Sequence, residues 1–346
     1  MRYSKVYIKS FGYELPPNVI ASDDIEDRLD PVYNALRIQK GQLEAITGIH
    51  ERRFWNPGYK MYEGAVAAGK KAIQASGISP ESIGILIYAG VCRDNLEPAT
   101  ACAVSDGLKL GSKTEIYDVS NACLGVINGM IQVANAIELG HIKAGIVVSC
   151  ESARNIVDIT IDNLLKNPDM ELFKETIATL TGGSGAVAVI LTDESLSNGC
   201  RRLAGGVVRS APEHHKLCLW GPDAGEPVDG FHVMKTDSVG VLQNGVPLGL
   251  ETFRDFMREM AWPDNKPDKT ICHQVGASHQ KSILESINIP KEKDFTTFRY
   301  LGNIGTVSLP ITAAIASERE FLVENDLVGF FGIGSGLNCM MLGVEW

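Results

Sequence analysis

An α/β fold is predicted by three features of this 346-residue chain. Short apolar runs typical of buried strands alternate with longer segments of helical character. Glycines bound several of these runs, as expected at the ends of strands and helices. The alternation also occurs twice, once in each half of the chain. The predicted elements of the first half are strands at residues 1–10, 83–89, 144–150 and 185–191, and a helix at 124–139 that ends at Gly140.

The second half repeats the alternation. Its predicted elements are a strand end at 269–273, a helix at 311–317, and a hairpin-like pair at 327–331 and 340–345. We therefore expect two similar halves, residues 1–195 and 196–346, joined near residues 195–205. Residues 212–262 are richer in Pro, Gly and His, and are expected to form a cap-like insertion.

The charge and hydropathy of the chain narrow its class. Lys and Arg number 32 against 42 Asp and Glu, a net charge of −10, which argues against nucleic acid and anionic membranes as main partners. The sequence contains no signal-peptide core and no run of about 18 apolar residues, so no integral membrane contact is expected. The eight cysteines include no Cys-x-x-Cys pair. We therefore expect buried thiols in a reducing cytoplasm, with no metal site and no disulfide framework.

Cys123 is the leading candidate nucleophile. It lies between a strand-like stretch and the predicted helix at 124–139, in the segment DVSNACLGVINGM (118–130). Unpaired N–H groups and the dipole at a helix N-terminus favour the thiolate over the thiol. A thiolate is a strong nucleophile and a good leaving group, so it can carry an acyl group covalently. Buried cysteines at helix starts are common, so the prediction depends on partners elsewhere in the chain.

Two candidate partners follow, His273 and Asn303. His273 ends a predicted strand in CHQVG (272–276), and Asn303 lies between glycines in GNIGTVSLP (302–310). Singly, a strand-end histidine is more often structural, and such an asparagine is more often a turn residue. Together with a cysteine they suit thioester chemistry. Imidazole and amide can donate hydrogen bonds to an enolate oxygen, or help to remove a proton.

Several motifs occur in an order that resembles the ketoacyl synthase III branch of the thiolase superfamily, over residues 1–346. They are TGIHERR (47–53), ACLG (122–125), GGSGAVA (182–188), HQ (273–274), GNIGTVSLP (302–310) and GIGSG (332–336). This resemblance implies a five-layered αβαβα thiolase fold, an obligate homodimer, and a catalytic set of Cys123, His273 and Asn303. It also implies acyl-CoA or acyl-carrier-protein thioesters as substrates, with no cofactor. Gly305 and Gly334, in two of these motifs, are candidate substrate-binding residues.

A finer resemblance is to the thiolases of olefin biosynthesis, which condense two long-chain acyl-CoA molecules head to head. RDNLEPAT (93–100) resembles their segment with a glutamate base, here Glu97, twenty-six residues before Cys123. In that family the corresponding glutamate enters the partner subunit's site. An unactivated acyl-CoA must lose an α-proton, and a carboxylate near the thiol can accept it. The alternative for Glu97 is an exposed loop carboxylate before Pro98.

Recognition of the phosphopantetheine arm departs from the family pattern. The stretch after the His-Gln motif lacks the usual basic residue, and no indole is present near residues 43–48. Arg52, Arg53 and Arg209 are candidate phosphate contacts. The alternative for each is a surface or structural role.

The leading functional prediction is an acyltransferase that acylates Cys123 from acyl-CoA and then performs a Claisen condensation with a second acyl-CoA. Three alternatives stay open. One is a malonyl-dependent 3-oxoacyl-carrier-protein synthase III of fatty acid or polyketide synthesis. Another is a non-catalytic acyl-binding partner of a synthase, against which the presence of all three candidate residues argues. The third is an ester- or amide-forming acyltransferase that uses the same acyl-cysteine.

Overall fold

The computed structural model describes residues 1–197, 199, 201–222, 232–262 and 267–346, and it confirms the α/β class. The strands are β1 (Tyr7–Glu14), β2 (Asn18–Ala21), β3 (Glu51–Phe54), β4 (Ile85–Ala89), β5 (Glu115–Val119), β6 (Ala144–Glu151), β7 (Gly185–Thr192), β8 (Arg202–Ser210), β9 (Cys218–Pro222), β10 (His232–Thr236), β11 (Lys269–Cys272), β12 (Leu327–Gly334) and β13 (Asn338–Glu345). The helices are α1 (Ser22–Arg28), α2 (Asp30–Leu36), α3 (Gln42–Thr47), α4 (Met61–Ser76), α5 (Thr100–Leu108), α6 (Gly125–Glu138), α7 (Arg154–Lys166), α8 (Met170–Leu180), α9 (Ser238–Met260), α10 (Ala277–Ser286), α11 (Phe298–Leu301) and α12 (Ser308–Glu318).

Nine strands form one mixed sheet in the order β11-β12-β13-β8-β1-β7-β6-β4-β5. It consists of two similar runs of strands that meet at a single residue pair, Tyr7 of β1 with Arg202 of β8. The first run, outward from this junction, is β1-β7-β6-β4, and the second is β8-β13-β12-β11. Each run consists of two antiparallel strand pairs followed by one parallel pair. The strand order therefore contains an internal repeat, while the division of the chain at residues 195–196 stays a prediction.

Helices cover and separate the two runs to give five layers. α6 and α12 pack between the runs. α4 and α5 cover the outer face of β4, β6 and β7, and α9 and α10 cover that of β11, β12 and β13. Side chains alternate along β4, so that Ile85 and Ile87 face the middle layer while Leu86 and Tyr88 face α4 and α5. The predicted αβαβα layering is confirmed.

Most predicted elements are present with shifted ends. β12 and β13 pair as an antiparallel hairpin closed by Gly334 and Asn338, as predicted. α12 begins at Ser308 rather than at residue 311, since Pro310 is tolerated in the first turn of a helix. The first strand is β1 rather than residues 1–10, because Tyr3 instead donates its backbone N–H to the second run.

The segment predicted as a cap-like insertion, residues 212–262, is only partly separate from the core. β9 and β10 form a two-stranded hairpin of their own, and residues 223–231 lie outside the described residues. α9 instead packs on β8 and β13, and contributes Phe253 and Phe256 to the core beneath it. Within this segment α9 is therefore part of the core, because an amphipathic helix buries its apolar face on the sheet. A cap-like insertion at residues 212–262 stays a prediction.

Candidate active site

Cys123 lies on a tight turn between β5 and α6, at the edge where the parallel strands β4, β5 and β6 end. Ala122 immediately before it has a left-handed backbone with φ of 44°, a conformation that residues with a Cβ seldom adopt. Gly334 lies against this turn, and a Cβ there would be 3.4 Å from the backbone nitrogen of Cys123. The turn thus places the thiol at the N-terminal end of α6, as predicted.

The predicted stabilisation of a thiolate is wrong for the free protein. Burial, with smaller contributions from Cys218 and Glu151, raises the pKa of the Cys123 thiol to about 12. The helix N-terminus offers less than expected, because the N–H of Val126 in its first turn already donates to Thr306 Oγ1 at 2.7 Å. A nucleophilic role for Cys123 would therefore require a base that removes the proton of the thiol.

His273 follows β11 and carries a neutral imidazole. Its Nδ1 lies 2.6 Å from the Oγ of Ser308, the first residue of α12, which leaves Nε2 for the cavity. Burial lowers the pKa of His273 to about 4, and the neighbouring His279 adds to the shift. The ring is therefore neutral at physiological pH, and it can accept a proton or donate one to a developing oxyanion.

Gln274 fixes the backbone around His273. Its side-chain oxygen accepts hydrogen bonds from the backbone N–H groups of Thr297 and Phe298, at 2.9 and 3.2 Å. Its amide nitrogen donates to the carbonyl of Cys272 at 2.6 Å. These three bonds tie the end of β11 to the start of α11, so the histidine is held through both its side chain and its backbone.

Asn303 lies in the turn between α11 and α12. Gly302 before it has φ of 69°, and a Cβ there would be 2.6 Å from the carbonyl oxygen of Thr181, so the turn requires glycine. The backbone of Asn303 pairs with Thr181 and Gly183. Its Oδ1 accepts the N–H of Gly305 at 3.1 Å. Because the amide oxygen is held by the protein, Nδ2 is the group available to a substrate oxygen.

Two cavities meet at Cys123 and Asn303, which line both of them. The α9 cavity, about 1160 Å³ including its mouth, contains His273 and Gly334. Its walls are mainly apolar and are formed largely by α9, α10 and β12. The hairpin cavity, about 1130 Å³, contains Gly305 and reaches the β9–β10 hairpin. The structure therefore brings Cys123, His273 and Asn303 together, with both candidate glycines beside them.

Glu97 is not brought to this site within one chain. It is exposed in the loop between β4 and α5, and it lines neither cavity. Leu96 beside it is 99% exposed. A role for Glu97 at Cys123 therefore requires a second copy of the chain, and stays a prediction.

Three carboxylates hold the loop that carries Glu97. Glu151 accepts two consecutive backbone N–H groups at the start of the loop, at 2.9 and 3.1 Å. Asp94 accepts those of the first two residues of α4, and Asp118 accepts those of the first two residues of α5. Glu151 also lines the hairpin cavity, where burial raises its pKa. Glu151 was not predicted from the sequence, although a carboxylate at the end of an otherwise apolar strand is a recognisable signal.

Arg52, Arg53 and Arg209 line neither cavity, and their phosphate contacts stay predictions. Arg52 is fully buried and donates hydrogen bonds within the protein. Arg53 donates to a backbone carbonyl, and Arg209 is paired with two carboxylates of α9. Their positions support the alternative of structural and surface roles.

Within the described ranges, no cluster of three His, Cys, Asp or Glu side chains is suited to a metal ion. No helix in the same part of the chain combines the length and the apolar character that crossing a membrane requires. The seven cysteines described there are free thiols.

Comparisons with known proteins agree with this fold. Family models described as 3-oxoacyl-[acyl-carrier-protein (ACP)] synthase III and as its C-terminal part match residues 117–204 and 257–346. The chain is 53% identical to an acyl-CoA:acyl-CoA alkyltransferase of Shewanella oneidensis and 35% identical to one of Xanthomonas campestris pv. campestris, over 100% of each chain.

The chain is also similar to crystal structures of OleA from Xanthomonas campestris. A cysteine-to-alanine variant gives a TM-score of 0.94 at 34% identity, with 100% of this chain and 98% of that chain covered. A cysteine-to-serine variant with bound lauric acid and lauroyl-CoA gives 0.93 at 34% identity, with 99% and 100% covered.

Fold, site and matches together define an acyl-condensing transferase of the ketoacyl synthase III type. Within that class, the chain belongs to the family of acyl-CoA:acyl-CoA alkyltransferases, OleA. The resemblance, the fold class and the enzyme class predicted from the sequence are thereby confirmed.

Proposed function

We propose that this protein condenses two acyl-CoA molecules head to head into a β-keto product, through an acyl group on Cys123. The pair of cavities that meet at Cys123 and Asn303 carries the proposal. A reaction between two acyl chains needs two places to hold them at one reacting centre. The relatives named acyl-CoA:acyl-CoA alkyltransferases and the OleA structure with bound lauroyl-CoA support it.

In the first step, Cys123 Sγ gives its proton to His273 Nε2 and attacks the thioester carbonyl of the first acyl-CoA. The bond from the acyl carbon to CoA sulfur breaks, and the CoA thiolate takes the proton back from His273. With pKa values of about 12 for the thiol and about 4 for the imidazole, proton transfer is unfavourable in the free protein. We therefore expect it to be coupled to acyl transfer.

In the second step, a base removes an α-proton from the second acyl-CoA, and the enolate carbon attacks the acyl-Cys123 carbonyl. The carbon–carbon bond forms, the bond to Cys123 Sγ breaks, and the thiolate regains the proton that the base took. Asn303 Nδ2 and His273 Nε2 are the proposed donors to the enolate oxygen, where such donors stabilise developing charge.

Glu97 of a second copy of the chain is the proposed base. In crystal structures of OleA, a glutamate has been replaced by glutamine, alanine or aspartate. Other OleA variants have a cysteine replaced, and the glutamate lies twenty-six residues before that cysteine. Glu97 and Cys123 have the same spacing. The exposed position of Glu97, on a loop held by three carboxylates, supports a reach into a neighbouring subunit.

The same proposal includes a homodimer in the cytoplasm, a reaction that needs no cofactor, and a chain divided near residues 195–196. An acyl carrier protein in place of CoA is a second candidate donor. It is favoured by the match to models of the 3-oxoacyl-[acyl-carrier-protein] synthase III family.

Purified protein given long-chain acyl-CoA alone tests the proposal, with free CoA, β-keto product and intact mass measured. We expect CoA release and β-keto product without any malonyl donor, and an acyl adduct that is absent from Cys123→Ser. Cys218→Ser is the matched control, since Cys218 also lines both cavities and should be dispensable for the adduct. Strict dependence on a malonyl carrier protein would instead establish a ketosynthase III. Absence of any adduct across chain lengths would favour a non-catalytic acyl-binding role.

A further inference from the structure

One wall of the α9 cavity is a single face of α9. The residues of this face are Ser238, Val241, Leu242, Gly245, Val246 and Gly249. Their spacing of three and four residues places them on the same side of the helix. Gly245 and Gly249 lie in the interior of a 23-residue helix, where glycine is unfavourable relative to alanine. A reason for glycine at these two positions is therefore needed.

The backbone does not supply that reason. Neither Gly245 nor Gly249 has a left-handed backbone. Apart from α9 itself, no backbone atom lies among the contacts of a Cβ placed at either position. Gly240 near the start of α9 differs, because a Cβ there would be 2.5 Å from the carboxylate of Asp237, which caps the helix. The contacts of a Cβ at 245 and 249 are instead made by the side chains opposite them.

Those side chains belong to the same cavity. A Cβ on Gly245 would be 2.9 Å from Cδ1 of Ile333 on β12, and one on Gly249 would be 2.8 Å from Cδ1 of Ile283 on α10. Both isoleucines line the α9 cavity. An added methyl group would therefore occupy cavity space or push a flexible isoleucine end into it. The cavity would narrow while the backbone stays in place.

We propose that Gly245 and Gly249 determine how long an acyl chain the α9 cavity accepts. The proposal rests on the proposed function, since Cys123, His273 and Asn303 at the same cavity would act on the thioester end of that chain. The mainly apolar walls leave the remainder of the chain to be recognised by shape and length.

Gly245→Ala and Gly249→Ala test this in a series from octanoyl-CoA to palmitoyl-CoA. Two steps are measured separately, adduct formation on Cys123 and condensation on enzyme already acylated with one fixed chain. We expect the kcat/KM ratio of palmitoyl-CoA to octanoyl-CoA to fall about 10-fold or more in one of the two steps, as for one misfitting methylene. Val239→Ile is the matched control, because it adds a methylene on the exposed side of α9 and should leave the ratio unchanged.

Unchanged ratios in both steps, in variants that melt like the parent, would overturn the proposal. A uniform loss at every chain length together with a lower melting temperature would also overturn it, because such a loss reports folding rather than cavity length. A changed chain-length dependence of adduct formation in the glycine variants, without any β-keto product, would support the role of the glycines and refute the condensation. No adduct in the parent protein with any acyl-CoA would refute both.

Discussion

Ser308 Oγ lies 2.6 Å from His273 Nδ1, so the first residue of α12 orients the ring that follows β11. A hydroxyl both donates and accepts hydrogen bonds, so Ser308 can pair with Nδ1 in either tautomer of the ring. In the proposed reaction, His273 would then present a lone pair on Nε2 during acylation and an N–H on Nε2 during condensation. A carboxylate in place of Ser308 only accepts, and would hold a single tautomer.

Ser308→Ala should lower kcat for condensation about 100-fold, because a small misplacement of a reacting group costs about that much. Ser308→Thr keeps the hydroxyl and should recover most of the rate. Ser308→Asp should raise the pKa of His273, so that the acid limb of the kcat profile moves to higher pH. The pH–rate profiles of the three variants are compared alongside their melting curves. Equal activity of the alanine and threonine variants would refute a role for the hydroxyl.

Glu97→Gln should retain acylation of Cys123 but lose condensation and α-proton exchange by about 10²-fold to 10⁴-fold. The amide has the size of the carboxylate and cannot act as a useful base. Intact mass reports the adduct, and deuterium incorporation into acyl-CoA reports the exchange. Glu81→Gln, at another exposed glutamate, is the control and should behave as the parent. Full condensation by Glu97→Gln would make Glu97 a loop residue and favour ordinary ketosynthase III chemistry.

Mixed dimers show which subunit Glu97 serves. A Cys123→Ser subunit still carries Glu97, and a Glu97→Gln subunit still carries Cys123. If Glu97 acts on the neighbouring subunit, the mixed dimer contains one complete site and recovers at most half of the parent activity. No recovery in a verified heterodimer would place Glu97 at the site of its own chain.

The ordered motifs predicted which residues share a cavity, because each motif is a turn whose place the thiolase fold fixes. Cys123, His273 and Asn303 were predicted in this way, and their catalytic roles stay predictions. The raised pKa of Cys123 could not be predicted from the residues next to it in the sequence. It depends on burial and, to a smaller extent, on Cys218 and Glu151, which lie outside the motif around Cys123. Glu97 could not be placed because its proposed site belongs to another copy.

The burial of Arg52 follows from the alternation of side chains along β3. In β3, Arg52 and Phe54 are buried while Glu51 and Arg53 are half-buried, so alternation from Phe54 places Arg52 inside. Arg52→Ala should therefore lower the free energy of unfolding by about 3 kcal/mol, as for other large buried side chains. Arg53→Ala, on the other face, should cost about 1 kcal/mol through one lost hydrogen bond. Urea unfolding and KM for acyl-CoA are measured. A raised KM at normal stability in Arg52→Ala would restore its phosphate role.

The pKa of His273, lowered by burial from 6.5 to about 4, also links stability to pH. Below about pH 6.5 the unfolded chain binds a proton at this ring, whereas the folded chain binds it only below about pH 4. Stability is therefore lost as the pH falls through this window, and about 2 kcal/mol should be lost by about pH 5. His279, whose pKa is also lowered by burial, acts in the same direction.

His273→Asn isolates the contribution of this one ring, because His279 and the remaining groups are common to both proteins. The free energy of unfolding of both proteins is measured with urea at about pH 7.5 and about pH 5. We expect the parent to lose about 2 kcal/mol more than the variant between these two pH values. An equal loss in both proteins would mean that the folded protein binds the proton as readily as the unfolded chain. His273 would then become charged below about pH 6.5, and kcat for acylation would fall in the same range because the ring could no longer accept the proton of Cys123.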